Sequence, residues 1–152
     1  MADTRVQLEV EDWICQEWMS EKFGQEFSKE STKLTSGGVF EFDAVSEDYK
    51  IVAVISTSGA RTATGKSAVG KIHKIRSDMF FLLLAADVER RIVVLTEQDM
   101  FSRWEKEEAN GRVPQEIEFC LAEIPSELRK RLQSARVQAS NEVSPDPESN
   151  AG

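Results

Sequence analysis

Residues Ser31–Ser58 read STKLTSGGVFEFDAVSEDYKIVAVISTS, and the period of this stretch decides the fold. β-Branched and aromatic residues fall in short runs, separated by Gly37-Gly38 and by the polar SEDYK, Ser46–Lys50. Runs of this length and composition predict strands near Thr32–Thr35, Val39–Ser46 and Ile51–Thr57, the last two joined as a hairpin. Every position from Ile51 to Ile55 is apolar, which suggests a central strand covered by helices on each side.

Working outward, Val10, Trp13, Ile14, Trp18 and Phe23 recur at helical spacing and Gly24 is placed as a C-cap, so a helix over about Glu9 to Phe23 comes first. After the hairpin, Val69, Ile72, Ile75, Met79, Leu82, Leu83 and Ala86 form the apolar stripe of a helix from about Ser67 to Ala86. The strand RIVVL follows, and Thr96 and Asp99 have the spacing of a capping box opening a helix that carries Met100, Phe101 and Trp104 and stops near Asn110-Gly111. The strand EIEFCLAEI and a helix from Ser126 to about Ala139 complete the order α, β, β, β, α, β, α, β, α. This is an α/β chain with a mixed β-sheet and helices on both faces. One domain over residues 1–140 accounts for it, and the polar, proline-containing residues 141–152 are expected to be a disordered tail.

Of 152 residues, 40% are hydrophobic, and no apolar run approaches the roughly 20 residues that cross a bilayer. The start, MADTRVQLEVEDW, has neither the basic opening nor the apolar core of a secretory signal, so a cytoplasmic protein is expected. Cys15 and Cys120 each lie in an apolar segment without a second Cys or His at ligand spacing, which points to free buried thiols. The net charge of −8 is unevenly spread: residues 51–91 hold seven Lys and Arg against three Asp and Glu, while the segments on either side are acidic. A local positive patch on an acidic body favours a salt-sensitive phosphate contact over general adhesion to nucleic acid.

The loop ISTSGARTATGKS, Ile55–Ser67, nearly matches a phosphate-binding P-loop as Ala60-x4-Gly65-Lys66-Ser67. A P-loop, however, is glycine-rich and leaves a parallel strand, whereas this one has Ala60 in place of the first glycine and leaves half of a hairpin. A nucleotide cradle is therefore not expected. Gly65-Lys66-Ser67 keeps the chemistry of a phosphate contact, because helix-start amides and a lysine attract anions in any fold.

The sharper anomaly lies on the hairpin. Strict alternation along Val39–Ser46 puts Phe40, Phe42 and Ala44 on one face and Glu41, Asp43 and Val45 on the other. Two carboxylates on one face of a largely buried strand need a partner, a cation or a cleft. One outcome is a structural ion pair with a lysine of the following loop or helix.

The order helix, three-strand meander, helix, strand, with GGVFEFDAVS presenting an aspartate late in the second strand and IVAVIST as the third, resembles the αβββαβ core of the PD-(D/E)XK nuclease superfamily, the restriction-endonuclease-like fold. The resemblance covers about Glu9 to Thr96 and rests mainly on topology. It implies that Asp43 is a metal-binding and catalytic aspartate, and that Mg²⁺ is the cofactor if the chain is catalytic. The third strand of that family offers an acidic residue and, two positions on, a lysine; Val54 and Ser56 stand there in this chain. Members can move the lysine to the next helix, which makes Lys66, Lys71 and Lys74 candidates, with Lys66 or Lys71 on the scissile phosphate. Glu17 of the first helix and Glu41 are the candidate further carboxylates of the metal site.

Two functions follow from the resemblance. One is a metal-dependent nuclease; the other is an inactive nuclease-fold module that binds nucleic acid or an acidic protein partner through Arg61, Lys66, Lys71, Lys74 and Arg76. Nucleic acid is the expected partner, DNA ahead of RNA, with a homodimer or a place in a larger assembly as further expectations. His73 is expected at the surface, Trp104 and Phe101 in the core, Lys74 and Asp78 as an i,i+4 pair, and SELRKRLQSAR as a solvated helix face.

Overall fold

A computed structural model describes residues 5–61 and 65–143. Its elements are helix α1 (Arg5–Trp13), a π-helical turn (Ile14–Trp18), α2 (Met19–Phe23), strands β1 (Phe27–Lys33), β2 (Val39–Ser46) and β3 (Ile51–Ser56), helix α3 (Val69–Leu84), β4 (Arg90–Leu95), α4 (Gln98–Ala109), β5 (Ile117–Leu121) and α5 (Ser126–Val143). Helix α1, the π turn and α2 are continuous, since Trp13 and Met19 keep right-handed helical dihedrals where the hydrogen-bonding pattern changes. Gly24 ends them with φ 70°, its N–H donating to the Ser20 carbonyl. That left-handed position is the one a glycine accepts without a Cβ penalty.

The five strands form one sheet in the order β1-β2-β3-β4-β5. Pairing is antiparallel from β1 to β3 and parallel from β3 to β5, with α3 and α4 as the crossovers. The expected α/β architecture with a mixed sheet is thus the one observed. Strands β3 and β4 alternate between two buried layers. Ile51, Ala53, Ile55, Ile92 and Val94 face Val10, Ile14 and Leu132; Val52, Val54, Val93 and Leu95 face Ile75, Leu82, Met100 and Trp104. Burial on both faces is the reason that IVAVI carries no polar alternation.

Several boundaries depart from expectation. β1 is Phe27–Lys33 rather than Thr32–Thr35, because FSKESTK is an edge strand in which only Phe27 is buried, so its apolar period is nearly silent. The Thr96–Asp99 capping box does not form: Glu97 takes the N-cap position, and the Thr96 hydroxyl donates to the Glu97 carboxylate instead of an amide of α4. α5 runs to Val143, past the expected boundary at 140, and the rest of the expected tail, 144–152, lies outside the described residues. Cys15 is buried and Cys120 half-buried, both as free thiols. Among the described residues, no helix is long and apolar enough to cross a membrane.

Candidate functional site

Strand β2 does not keep the alternation that its sequence suggests. Against β1, Ser28 faces Val45 and Glu30 faces Phe42, so Asp43 and Ala44 together oppose the single residue Lys29. This is a β-bulge, and it shifts the phase of the strand by one residue. Phe42 and Val45 therefore both enter the core layer under α3, whereas Ala44 joins the layer under α1, which corrects the expected grouping of Ala44 with Phe40 and Phe42 and of Val45 with Asp43.

The same place is where β2 and β3 part. They pair only as Ala44 with Ala53 and Val45 with Val52. Beyond that the Ile55 N–H has lost its strand neighbour, and the Asp43 side chain replaces it: Oδ2 accepts from the Ile55 N–H at 2.8 Å. The carboxylate thus lies in the opening between the strands, with α1 on one layer and α3 on the other.

A cleft of about 700 Å³ opens beside the end of β3, and Asp43 does not itself line it. Its walls are Gln7 and Glu11 of α1, Ile55–Ser58 at the end of β3, Ser67–Gly70 leading into α3, and Lys71, Lys74 and Asp78 on α3. Burial, then the charge of Asp43, then Asp12 push the Glu11 carboxyl up to about 7, against the opposing pull of Lys29 and Lys74. Asp43 is also raised. Burial is the main cause and Asp78 adds to it, while the Ile55 hydrogen bond, Lys29 and Lys74 work the other way. Two carboxyls that both resist ionisation, each chiefly through burial, mark a region short of positive charge. Lys74 relieves it only in part, since its ammonium is held by both Asp78 oxygens at 3.1 Å.

The residues expected to form the site are divided by the fold. Lys71 and Lys74 line the cleft, whereas Asp43 lies behind its wall, within range of the charges of Glu11 and Lys74. Glu17 is exposed on the π turn and does not line the cleft; Glu11, on the same continuous helix, takes that place. Glu41 is also exposed, with Lys29 3.8 Å away, so the two β2 carboxylates do not converge. Arg76 points to α4, where it pairs with the buried Glu107 at 3.4 Å and lies 4.9 Å over the Trp104 ring. Arg61 lines a second hollow, Lys66 is exposed on the loop, and His73 is exposed as expected. Val54 is buried in the layer under α3, and the Ser56 hydroxyl accepts from the Ser58 N–H.

The P-loop-like segment closes on itself. The Ala68 N–H donates to the Ala60 carbonyl, Arg61 bridges Ser67, and the Arg61 guanidinium donates to the Gly65 carbonyl. Helix α3 starts only at Val69, so Gly65-Lys66-Ser67 lies before its first turn rather than in it.

Sequence reasoning also missed the clamp beneath the cleft. Glu97 accepts from Arg129 and, at 3.2 Å, from Arg136. Arg129 also donates to the Thr96 carbonyl and Arg136 to the Thr57 carbonyl. The α5 face expected to be solvated is thus partly tied to the ends of β3 and β4.

The donor set at the cleft can be tested against Mg²⁺. Among the described residues no three His, Cys, Asp or Glu side chains meet as a metal-holding group. An all-protein cage is therefore absent there. Mg²⁺ commonly binds through one or two carboxylates together with substrate phosphates, however, and Glu11, which lines the cleft, is a carboxylate of the type that mode uses. Comparison with protein-family models, with curated proteins and with solved structures gives no match to this chain.

Proposed function

We propose that this protein is a nuclease-like enzyme that acts on nucleic acid through the cleft between β2 and β3. The supporting observation is that Glu11 of α1 and Lys71 and Lys74 of α3 line one opening beside the start of a 16-residue helix, with Asp43 of β2 near enough for its charge to raise Glu11. Lysines and helix-start amides on one wall attract a phosphate, and the carboxyl pair occupies the opposite side. The Asp43 carboxylate is fixed by the Ile55 N–H, so its other oxygen is the one that can meet a ligand. Glu11 holds a proton close to neutrality only while no further positive charge is near. The two carboxylates would hold Mg²⁺, which when bound polarises a phosphate and acidifies a water. Lys71 then faces the phosphate from α3, the element to which this resemblance moves the lysine missing from Ser56.

Cleavage of single- and double-stranded DNA and RNA with Mg²⁺ or Mn²⁺, run beside Asp43→Asn, tests this reading. The wild type should cut at least one substrate, and the variant should lose roughly 10²-fold or more of that rate. A variant as active as the wild type contradicts it.

A second reading, a non-catalytic nucleic-acid-binding module, is favoured by β3 itself. No charged side chain stands on that strand, and the residues in the family's acid and lysine positions, Val54 and Ser56, are a core residue and a turn hydroxyl. Binding that depends on Lys71 and Lys74, without cleavage under any metal, identifies it.

A further inference from the structure

Next to the cleft lies a second hollow of about 430 Å³, walled by Arg61, Ser67, Asp99, Ser102, Arg103 and Lys106. Ser67 lines both, so the two openings adjoin at the entry to α3. Three cations face this hollow against one carboxylate, Asp99, which sits against Gly59: a Cβ there would meet both Asp99 oxygens at 3.3–3.4 Å. Several cations elsewhere in the chain have carboxylate partners, as in Arg76–Glu107, Arg90–Glu118, Arg131–Glu9 and the two arginines on Glu97. Arg61 donates to a backbone carbonyl, and Arg103 and Lys106 form no ion pair among the described residues. In a chain of net charge −8, three cations against one carboxylate around a single concavity make a local positive site that attracts an anion.

We infer that this hollow binds the phosphate backbone of the same nucleic-acid strand that enters the cleft, one or more nucleotides away from the reacting phosphate, and so sets the strand's direction across α3. This rests on the nucleic-acid reading of the cleft. A single small anion does not account for three cations spread over the loop and one side of α4, whereas consecutive phosphates along a strand do.

The test is the salt dependence of binding to a fluorescein-labelled dT12 oligonucleotide, measured by anisotropy in EDTA so that cleavage plays no part. Arg103→Ala/Lys106→Ala, on the exposed side of α4, should weaken binding about tenfold and lower the slope of log affinity against log salt by about 1.4, at roughly 0.7 per single-strand phosphate contact. Lys33→Ala/Lys50→Ala removes the same charge at the opposite end of β3 and should leave the slope unchanged. Equal effects of the two variants, or none from the first, overturn the inference. Lys71→Ala/Lys74→Ala separates the two claims. If only this variant weakens binding, the cleft stands and the hollow falls; if only Arg103→Ala/Lys106→Ala does, the hollow stands and the cleft falls. A wild type that does not bind overturns both.

Discussion

Partly buried acids at two places in the molecule are treated in opposite ways. At Glu97, one carboxylate meets two guanidiniums and a hydroxyl, both of its oxygens are used, and each arginine also satisfies a strand-end carbonyl. At the cleft, two carboxyls share partial help from Lys29 and Lys74, and the result is protons held more tightly than usual. The first arrangement is complete without a ligand and fastens α5 to the ends of β3 and β4. The second is incomplete, and the proposal places the ligand there. Burial of an acid therefore does not distinguish the two places; the shortage of positive charge around the cleft carboxyls does.

The largest expected effect breaks the closed side. Glu97→Ala leaves two partly buried arginines without their carboxylate and should cost about 3–5 kcal/mol in urea unfolding at pH 7. A loss below about 1 kcal/mol would show the clamp to be incidental.

The open side should respond in the other direction. Glu11 has its carboxyl raised from its ordinary value near 4.5 to about 7, so the folded state binds the proton more tightly than the unfolded chain. Its contribution is fully present below about pH 4.5 and is lost as the pH rises through about 7; because the carboxyl is partly exposed and screened by solvent, the loss is smaller than the ~3 kcal/mol that 1.36 kcal/mol per unit would give. Glu11→Gln removes that loss, so the variant should be more stable than the wild type at pH 8 and lose its advantage at pH 4. Urea midpoints across that range check it, and parallel curves for the two proteins would contradict it.

The smallest effect sharpens the contrast. Glu41 and Lys29 form an exposed pair, with side chains 59% and 49% accessible. Glu41→Ala should change stability by less than about 0.5 kcal/mol and leave any cleavage rate unaltered. A loss of activity comparable to that of Asp43→Asn would return Glu41 to the site.

The architecture was legible because its signals are local. The apolar run Ile51–Ile55, the stripe from Val69 to Leu82 and the Gly24 cap each state their role within a few residues. β1 was misplaced because an edge strand with one buried residue has little period to read. The site was only half legible. Asp43 stood out as an acid on a buried strand, but the bulge at Asp43–Ala44 depends on the register against β1, which no local pattern of VFEFDAVS records. Glu11 was hidden in the acidic run EVEDW, and nothing in the chain before folding distinguishes it from Glu17. What distinguishes them is the turn of α1 that looks through the gap between β2 and β3. Arg129 and Arg136 looked solvated because their partner, Glu97, lies more than 30 residues away in the sequence.

The central claim, that the cleft carboxyls are short of one cation, is tested most directly by a carbon-detected NMR titration of the Glu11 carboxyl, assigned by its loss in Glu11→Gln. Without divalent metal it should titrate near 7; with saturating Mg²⁺ its midpoint should fall below about 5, as expected for a carboxylate beside added positive charge. A Glu11 that titrates near 4.5 without metal, or a midpoint that Mg²⁺ leaves unmoved, would contradict the account.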